Sequence, residues 1–207
     1  MCSHYEAPSA DRIYEAFGVR PHEPVQTDLW PGRPGYFLTA GDTEQTLVVS
    51  TGSFGLLPHW AKDEKLARHT YNCRSETASE KPSFRAAWRQ AKHCVVPAEA
   101  IYEPDWRSGK SVPTRITRRD GGLILIAGLW EAWENSEVGV VRSFTMLTIN
   151  ADQHQLMQNF HRPEDEKRMV VMLSSGAIQR WLAAPASESA AFLQQYPAER
   201  LEAVSAG

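Results

Sequence analysis

Short strand-like runs follow one another along this chain without the regular helical stretches that a βαβ rhythm would place between them, and this constrains the fold more than any other feature. The runs fall at Tyr36–Thr39, Thr46–Ser50, Cys94–Val96, Val112–Thr117, Leu123–Leu129 and Phe144–Ile149, with a buried-strand run at Met169–Leu173. Helical patterns are scattered among them. Ser9 reads as the N-cap of a first helix that sets Ile13, Ala16 and Phe17 on one face and stops at Gly18. Pro82–Ala91 begins on a proline whose missing N–H costs little there. Asp152–Phe160, Ile178–Leu182 and Ser189–Gln195 complete the set. Pro31-Gly32-Arg33-Pro34-Gly35 is a rigid loop that neither a helix nor a central strand accommodates, and Ser53–Trp60 reads as a packed, functional loop. The expectation is an α+β fold: one domain over residues 1–196, a curved, antiparallel or mixed sheet with flanking helices, and a frayed tail over 197–207.

At 207 residues and 42% hydrophobic content the chain can bury a sizeable core without staples. Its three cysteines, Cys2, Cys73 and Cys94, form no paired framework, which favours a reducing compartment. With no secretory pattern and no apolar run of membrane-spanning length, a soluble cytoplasmic protein is expected, with no membrane partner. Net charge is −3, but residues 60–119 carry 13 Lys/Arg against 7 Asp/Glu while the remainder is acidic. A basic segment on an acidic body suits an anion-binding groove; a solvated surface with chance clustering is the alternative.

Cys2 stands directly behind Met1. Removal of Met1 would leave an α-amine and a thiol on adjacent carbons. An α-amine titrates near ~8, so a usable fraction is unprotonated at neutral pH. Such a pair traps an aldehyde twice: nitrogen forms a Schiff base, then sulfur closes a five-membered thiazolidine. Ring closure is intramolecular, where effective molarities can reach ~10⁵ M or more. Taken by itself, Cys2 reads first as an incidental residue of a loose terminus, and only the rest of the chain reverses that.

Several islands align in order: MC at the start, FGLLPHW at 54–60, NCRSET at 72–77, KPSFR at 81–85, CVVPAEAIYEPDW at 94–106, AGLWE at 127–131, FTMLT at 144–148 and HRPEDEKRMVVML at 161–173. Together they resemble the SOS-response-associated peptidase (SRAP) family, the abasic-site-processing proteins, nearly throughout the chain. The resemblance implies a barrel-like sheet framing a groove for single-stranded DNA that contains abasic sites. It implies a mature N-terminal cysteine that forms a covalent thiazolidine DNA–protein cross-link with the ring-opened sugar, in a DNA-damage (SOS) response. An autoproteolytic removal of Met1 is implied as well. By this similarity Cys2 is the nucleophile, and Asn72, Glu103 and His161 line the pocket. No cofactor or metal is expected, and a monomer is.

The residue chemistry suits those roles. Opening a cyclic hemiacetal needs one proton given and one taken, work for a carboxyl and an imidazole. Glu103, behind apolar Ile101-Tyr102, would transfer the proton; a surface salt bridge is its alternative. His161 would assist ring opening, or merely terminate a helix. Asn72 offers donor and acceptor to the Cys2 amine and the sugar hydroxyl, or is a turn residue. Arg74 and Arg85 suit bidentate phosphate contact, with Lys81 and Arg89 extending the groove. Trp60, Phe54 and the Pro31-Gly32 loop could stack or wedge against bases flanking a lesion. Trp130 and Trp133 read as core, and Glu131 as a pocket support or buried hydrogen bond.

Two departures from the family pattern stand out. Ser3-His4 replaces Gly-Arg, so His4 substitutes only in part for a DNA-contacting arginine, and the 162–168 segment is longer and more charged, a lid or a solvated loop. Rival functions are a thiol (auto)peptidase using Cys2, His161 and Asn72, a non-covalent single-stranded DNA-binding protein, and a metal module. The last rests only on isolated ligand types (Cys2, His4, Cys73, His93, Cys94) without a Cys-x-x-Cys or His-x-x-x-His pair.

Overall fold

Five strands close on themselves to form the frame of the molecule. The computed structural model describes residues 2–43, 46–137 and 139–206. Its strands are β1 (His4–Glu6), β2 (Asp28–Leu29), β3 (Pro34–Ala40), β4 (Leu47–Phe54), β5 (Asn72–Arg74), β6 (His93–Ala98), β7 (Ala100–Asp105), β8 (Val112–Arg118), β9 (Ile124–Asn135), β10 (Gly139–Asn150), β11 (Arg168–Val170) and β12 (Leu201–Ser205). The helices are α1 (Ala10–Phe17), α2 (Arg85–Arg89) and α3 (Ile178–Ala183), with 3₁₀ segments elsewhere. β10, β4, β3, β6 and β9 form a closed mixed barrel: β4 and β10 run parallel, and the other pairings are antiparallel. β5 and β11 extend it by pairing with β10. A second, antiparallel sheet has the order β12-β8-β7-β1-β2.

β6 and the central stretches of β3, β9 and β10 are buried on both sides, which is why they read as continuous apolar runs, whereas β4 alternates between buried and half-exposed positions. Every residue of β6 is buried, as are residues 143–149 of β10. Phe144 packs at 5.6 Å ring separation against both Phe37 and Phe54, and Tyr5 of the second sheet meets Phe54 edge-on at 5.2 Å. That contact joins the two sheets through one core. At Gly55 the backbone turns with φ +130°, and a Cβ would collide with the carbonyl of Ala67, so only glycine fits.

α1 forms as its sequence predicts: the Ser9 hydroxyl accepts from the Arg12 amide at 3.1 Å, and left-handed Gly18 donates its N–H to the Tyr14 carbonyl at 2.8 Å. Three other expectations need correction. Asp152–Phe160 is not a helix but a set of turns with one 3₁₀ turn at Met157–Asn159. The buried His154 ring explains this: Nδ1 accepts from the Leu156 and Met157 amides while Nε2 meets the Tyr196 carbonyl at 2.7 Å. The Pro82–Ala91 pattern contracts to α2, ending before left-handed Ala91, and in place of a helix over Ser189–Gln195 a 3₁₀ segment spans Ala186–Phe192 and stops before Leu193. Within the 197–207 stretch expected to fray, residues 201–205 form β12. Leu201–Ser205 pairs residue for residue with β8, from Leu201↔Arg118 to Ser205↔Thr114, because the outer edge of β8 otherwise presents unpaired backbone groups.

Candidate active site

β1 is an inner strand of the second sheet, held between β2 and β7 by the pairs Tyr5↔Leu29 and Tyr5↔Ile101. That placement draws the residues before it into the interior. Cys2 is 1% exposed, and its thiol donates to the His4 carbonyl at 3.5 Å. Burial pushes the thiol pKa far up, and the Glu103 carboxylate adds to this, so Cys2 carries its proton at neutral pH.

Asn72 arrives from β5, whose parallel pairing with β10 sets Asn72 opposite Met146. Its Nδ2 donates to the Cys2 carbonyl at 3.0 Å and to the Tyr71 carbonyl at 2.9 Å. Asn72 Oδ1 is buried and has no hydrogen-bond partner among the described residues, which leaves an acceptor available to an incoming donor. β7 supplies Glu103, 2% exposed, whose Oε2 lies 3.0 Å from His161 Nε2. The same strand anchors the histidine: the His161 amide donates to the Pro104 carbonyl at 2.8 Å, and Phe160 bridges to Asp105. His161 takes a left-handed φ of +64°, uncommon for a residue with a side chain, which turns the chain as it leaves β7. Half-buried Tyr71 completes the surroundings. Burial, then Cys2 and Glu103, raise its phenol pKa.

The four residues expected to line one pocket thus come from four separated segments and converge. Glu103 is a buried partner of His161 rather than a surface salt bridge, and His161 follows a 3₁₀ turn, not a helix. The expected DNA contacts divide. Lys81, Arg85 and Arg89 are exposed, and Trp60, 45% exposed, donates from Nε1 to the Pro82 carbonyl at 3.3 Å, joining one rim to the Lys81–Arg85 segment. Arg74 is exposed but ion-paired with Glu166 at 3.0 Å. Phe54 is fully buried against Phe144 and Tyr5, so its expected stacking on a base is corrected to a core role. The Pro31-Gly32 loop is docked on the Phe54 backbone, Gly32 N–H donating to the Phe54 carbonyl at 2.7 Å. Residues 162–166 are exposed, Lys167 reaches back to the Arg162 carbonyl, and Arg168 is buried between Glu76 and Glu166. Trp133 is core, Trp130 is half-buried, and buried Glu131 pairs with Lys92.

Sequence reasoning passed over Trp30, Tyr102 and Asp28, which surround His4, and Tyr71. The signal was available for one of them: Trp30 directly precedes the Pro31-Gly32 loop. The cleft between α1 and α3, lined by Arg12, Phe17, Leu125 and Ile178, holds none of the converging residues.

A closed mixed barrel joined to an antiparallel sheet, with a buried near-terminal cysteine facing an asparagine and a Glu–His pair, defines a small class of α+β proteins. The chain belongs to the SOS response associated peptidase (SRAP) family, whose pattern matches residues 1–206. It is 35% identical over 154 residues to the abasic site processing protein YoqW of Bacillus subtilis (strain 168), covering 72% of this chain and 65% of that protein. To the abasic site processing protein HMCES of Xenopus tropicalis it is 28% identical over 156 residues, covering 65% of this chain and 45% of the relative. The chain therefore spans about two thirds of the length of the one relative and under half of the other. A crystal structure of a Bordetella bronchiseptica protein superimposes with a TM-score of 0.91 at 45% identity, over the whole of both chains. One from Bacteroides thetaiotaomicron gives 0.82 at 22% identity, over 99% of this chain and 91% of that one, a likeness of fold.

Proposed function

We propose that this protein acts on abasic sites in single-stranded DNA and captures the ring-opened sugar through the α-amine and thiol of Cys2 once Met1 is removed. What supports this most is the convergence of a buried aminothiol residue with Asn72 on its carbonyl and a Glu103–His161 pair beside it. The names of the relatives, abasic site processing proteins, point the same way.

The chemistry balances with these groups alone. Glu103 and His161 together can give and take the proton that opens the sugar hemiacetal to its C1′ aldehyde. The Cys2 amine adds to that carbon, and the carbinolamine loses one water to form a Schiff base. Sulfur then adds to the imine carbon, forming C–S, and the thiol proton ends on nitrogen. No oxidant or reductant is involved. The thiol must give up its proton as sulfur adds, and that proton is the one the imine nitrogen takes up. The buried acceptor of Asn72, Oδ1, supports a role in orienting an amine or hydroxyl donor. The adduct would shield the lesion from strand scission.

The thiol peptidase reading is less well supported. His161 pairs with Glu103, and Asn72 bonds to the Cys2 backbone, so neither is arranged as the base or orienter of a Cys–His–Asn relay. Processed protein incubated with uracil-excised single-stranded DNA should give an adduct that survives denaturation, and Cys2→Ala none. Equal adduct from both would defeat the mechanism. Salt-sensitive retention without any adduct would favour non-covalent DNA binding instead.

A further inference from the structure

Three aromatic rings form one stack at the end of the second sheet where Cys2 enters. His4 is the middle tier, its ring 4.1 Å from Trp30 at 13° and 4.1 Å from Tyr102 at 12°. Strand register builds the stack. His4 pairs with Tyr102 across β1 and β7, and continuing the β1–β2 register past Tyr5↔Leu29 sets Trp30 on its other side. Asp28 fixes the planes: it pairs with His4 Nε2, and its Oδ2 accepts from Trp30 Nε1 at 3.2 Å. Tyr102 closes one end, its hydroxyl donating to Glu6 at 3.4 Å. The other end is open, with Trp30 48% exposed.

A tryptophan held in plane by two contacts is a rigid platform with little rotamer freedom left to lose on taking up another ring. The 4.1 Å spacing is that of stacked rings, which a nucleobase would continue. Resting on the abasic-site reading above, we propose that Trp30 replaces the missing base by stacking on the unpaired base next to the lesion, and so favours a purine at that position. An abasic nucleotide leaves its neighbour with one bare face. From Cys2 to His4 the extended chain covers roughly 7 Å, and the Trp30 ring lies 4.1 Å further across the sheet, a span of roughly 8 Å, or two to three base steps at ~3.4 Å each. A sugar held at Cys2 therefore brings the bases beside it to the scale of the stack, and a purine covers more of the indole than a pyrimidine.

The test uses the processed full chain and labelled single-stranded DNA bearing a tetrahydrofuran abasic analogue, which has no aldehyde and cannot cross-link. Both neighbours of the analogue are adenine, thymine or further tetrahydrofuran residues, and Kd is read by anisotropy. Wild type should prefer adenine neighbours. Trp30→Ala should bind that DNA about fivefold to a hundredfold more weakly, as expected for one lost stacking partner, and Trp30→Phe should recover most of the loss. With tetrahydrofuran neighbours, wild type and Trp30→Ala should bind alike. An equal loss on all three DNAs, or no loss on any, overturns the inference. Adduct formation by wild type on aldehyde-bearing DNA is scored separately: if it occurs while neighbour identity has no effect, only this inference falls, and if it is absent, the underlying reading falls too.

Discussion

At Glu103, a carboxylate almost sealed from solvent is kept beside an imidazole by a backbone bond that its own strand supplies. If this pair moves the protons of ring opening, Glu103→Gln should slow adduct formation about a hundredfold or more, the usual cost of losing a general acid–base. Single-turnover gels give that rate, and affinity for the tetrahydrofuran analogue should stay within about twofold. A matching collapse of affinity would make Glu103 a binding or folding residue instead. The cysteines allow a second prediction. Cys2, Cys73 and Cys94 are all buried, and burial raises all three thiol pKa values. With Met1 still in place, the folded chain should therefore release almost no thionitrobenzoate from Ellman's reagent at pH 8, and the denatured chain the equivalent of three thiols. Rapid release from the native state would mean that Cys2 is reachable without opening the sheet. The chemical identities of the site residues were legible in the motifs. The environment of His4 was not, because its neighbours Trp30 and Tyr102 lie far off in sequence and meet it only through strand register.

Strands were easier to read than helices, for a physical reason visible in two segments. Leu123–Leu129 is apolar because both faces are covered, so its core role survives any shift of boundary, and β9 simply runs on to Asn135. Asp152–Phe160 has helical spacing, yet one buried imidazole takes the amides that a helix would use internally, and no local pattern reports where His154 points. β1 and β7 escaped notice as strands because β1 is three residues long and β7 contains Pro104. The C-terminal strand escaped because its exposed residues resemble a tail, though Leu201 is buried. Leu201→Ala should cost about 2–5 kcal/mol in denaturant unfolding, the range for emptying a leucine site in a core. A change below about half a kcal/mol, the usual size for a surface substitution, would show that β12 is not coupled to the domain.

The molecule as a whole should lose stability in mild acid through a group outside the candidate site. His93 lies on the barrel strand β6, stacked on Trp181 at 3.9 Å with Nε2 2.9 Å from Ser189 Oγ. Burial lowers its pKa from 6.5 to about 4. The folded protein therefore refuses a proton that the unfolded chain accepts. This contribution is complete above about pH 6.5 and lost as pH falls toward about 4, at roughly 1.4 kcal/mol per pH unit in between. Urea unfolding at pH 7 and pH 5 should show the slope in wild type and a shallower one in His93→Gln; parallel slopes would clear the residue.

β1 also has an implication for how the protein is made. Its partner β7 is translated about a hundred residues later, which at ~5–20 residues per second leaves a window of roughly 5–20 s. During that time His4–Glu6 lacks its β7 partner. Once residues 100–105 leave the ribosome, His4–Glu6 can pair with Ala100–Tyr102. The timing of synthesis then sets when β1 takes its place between β2 and β7.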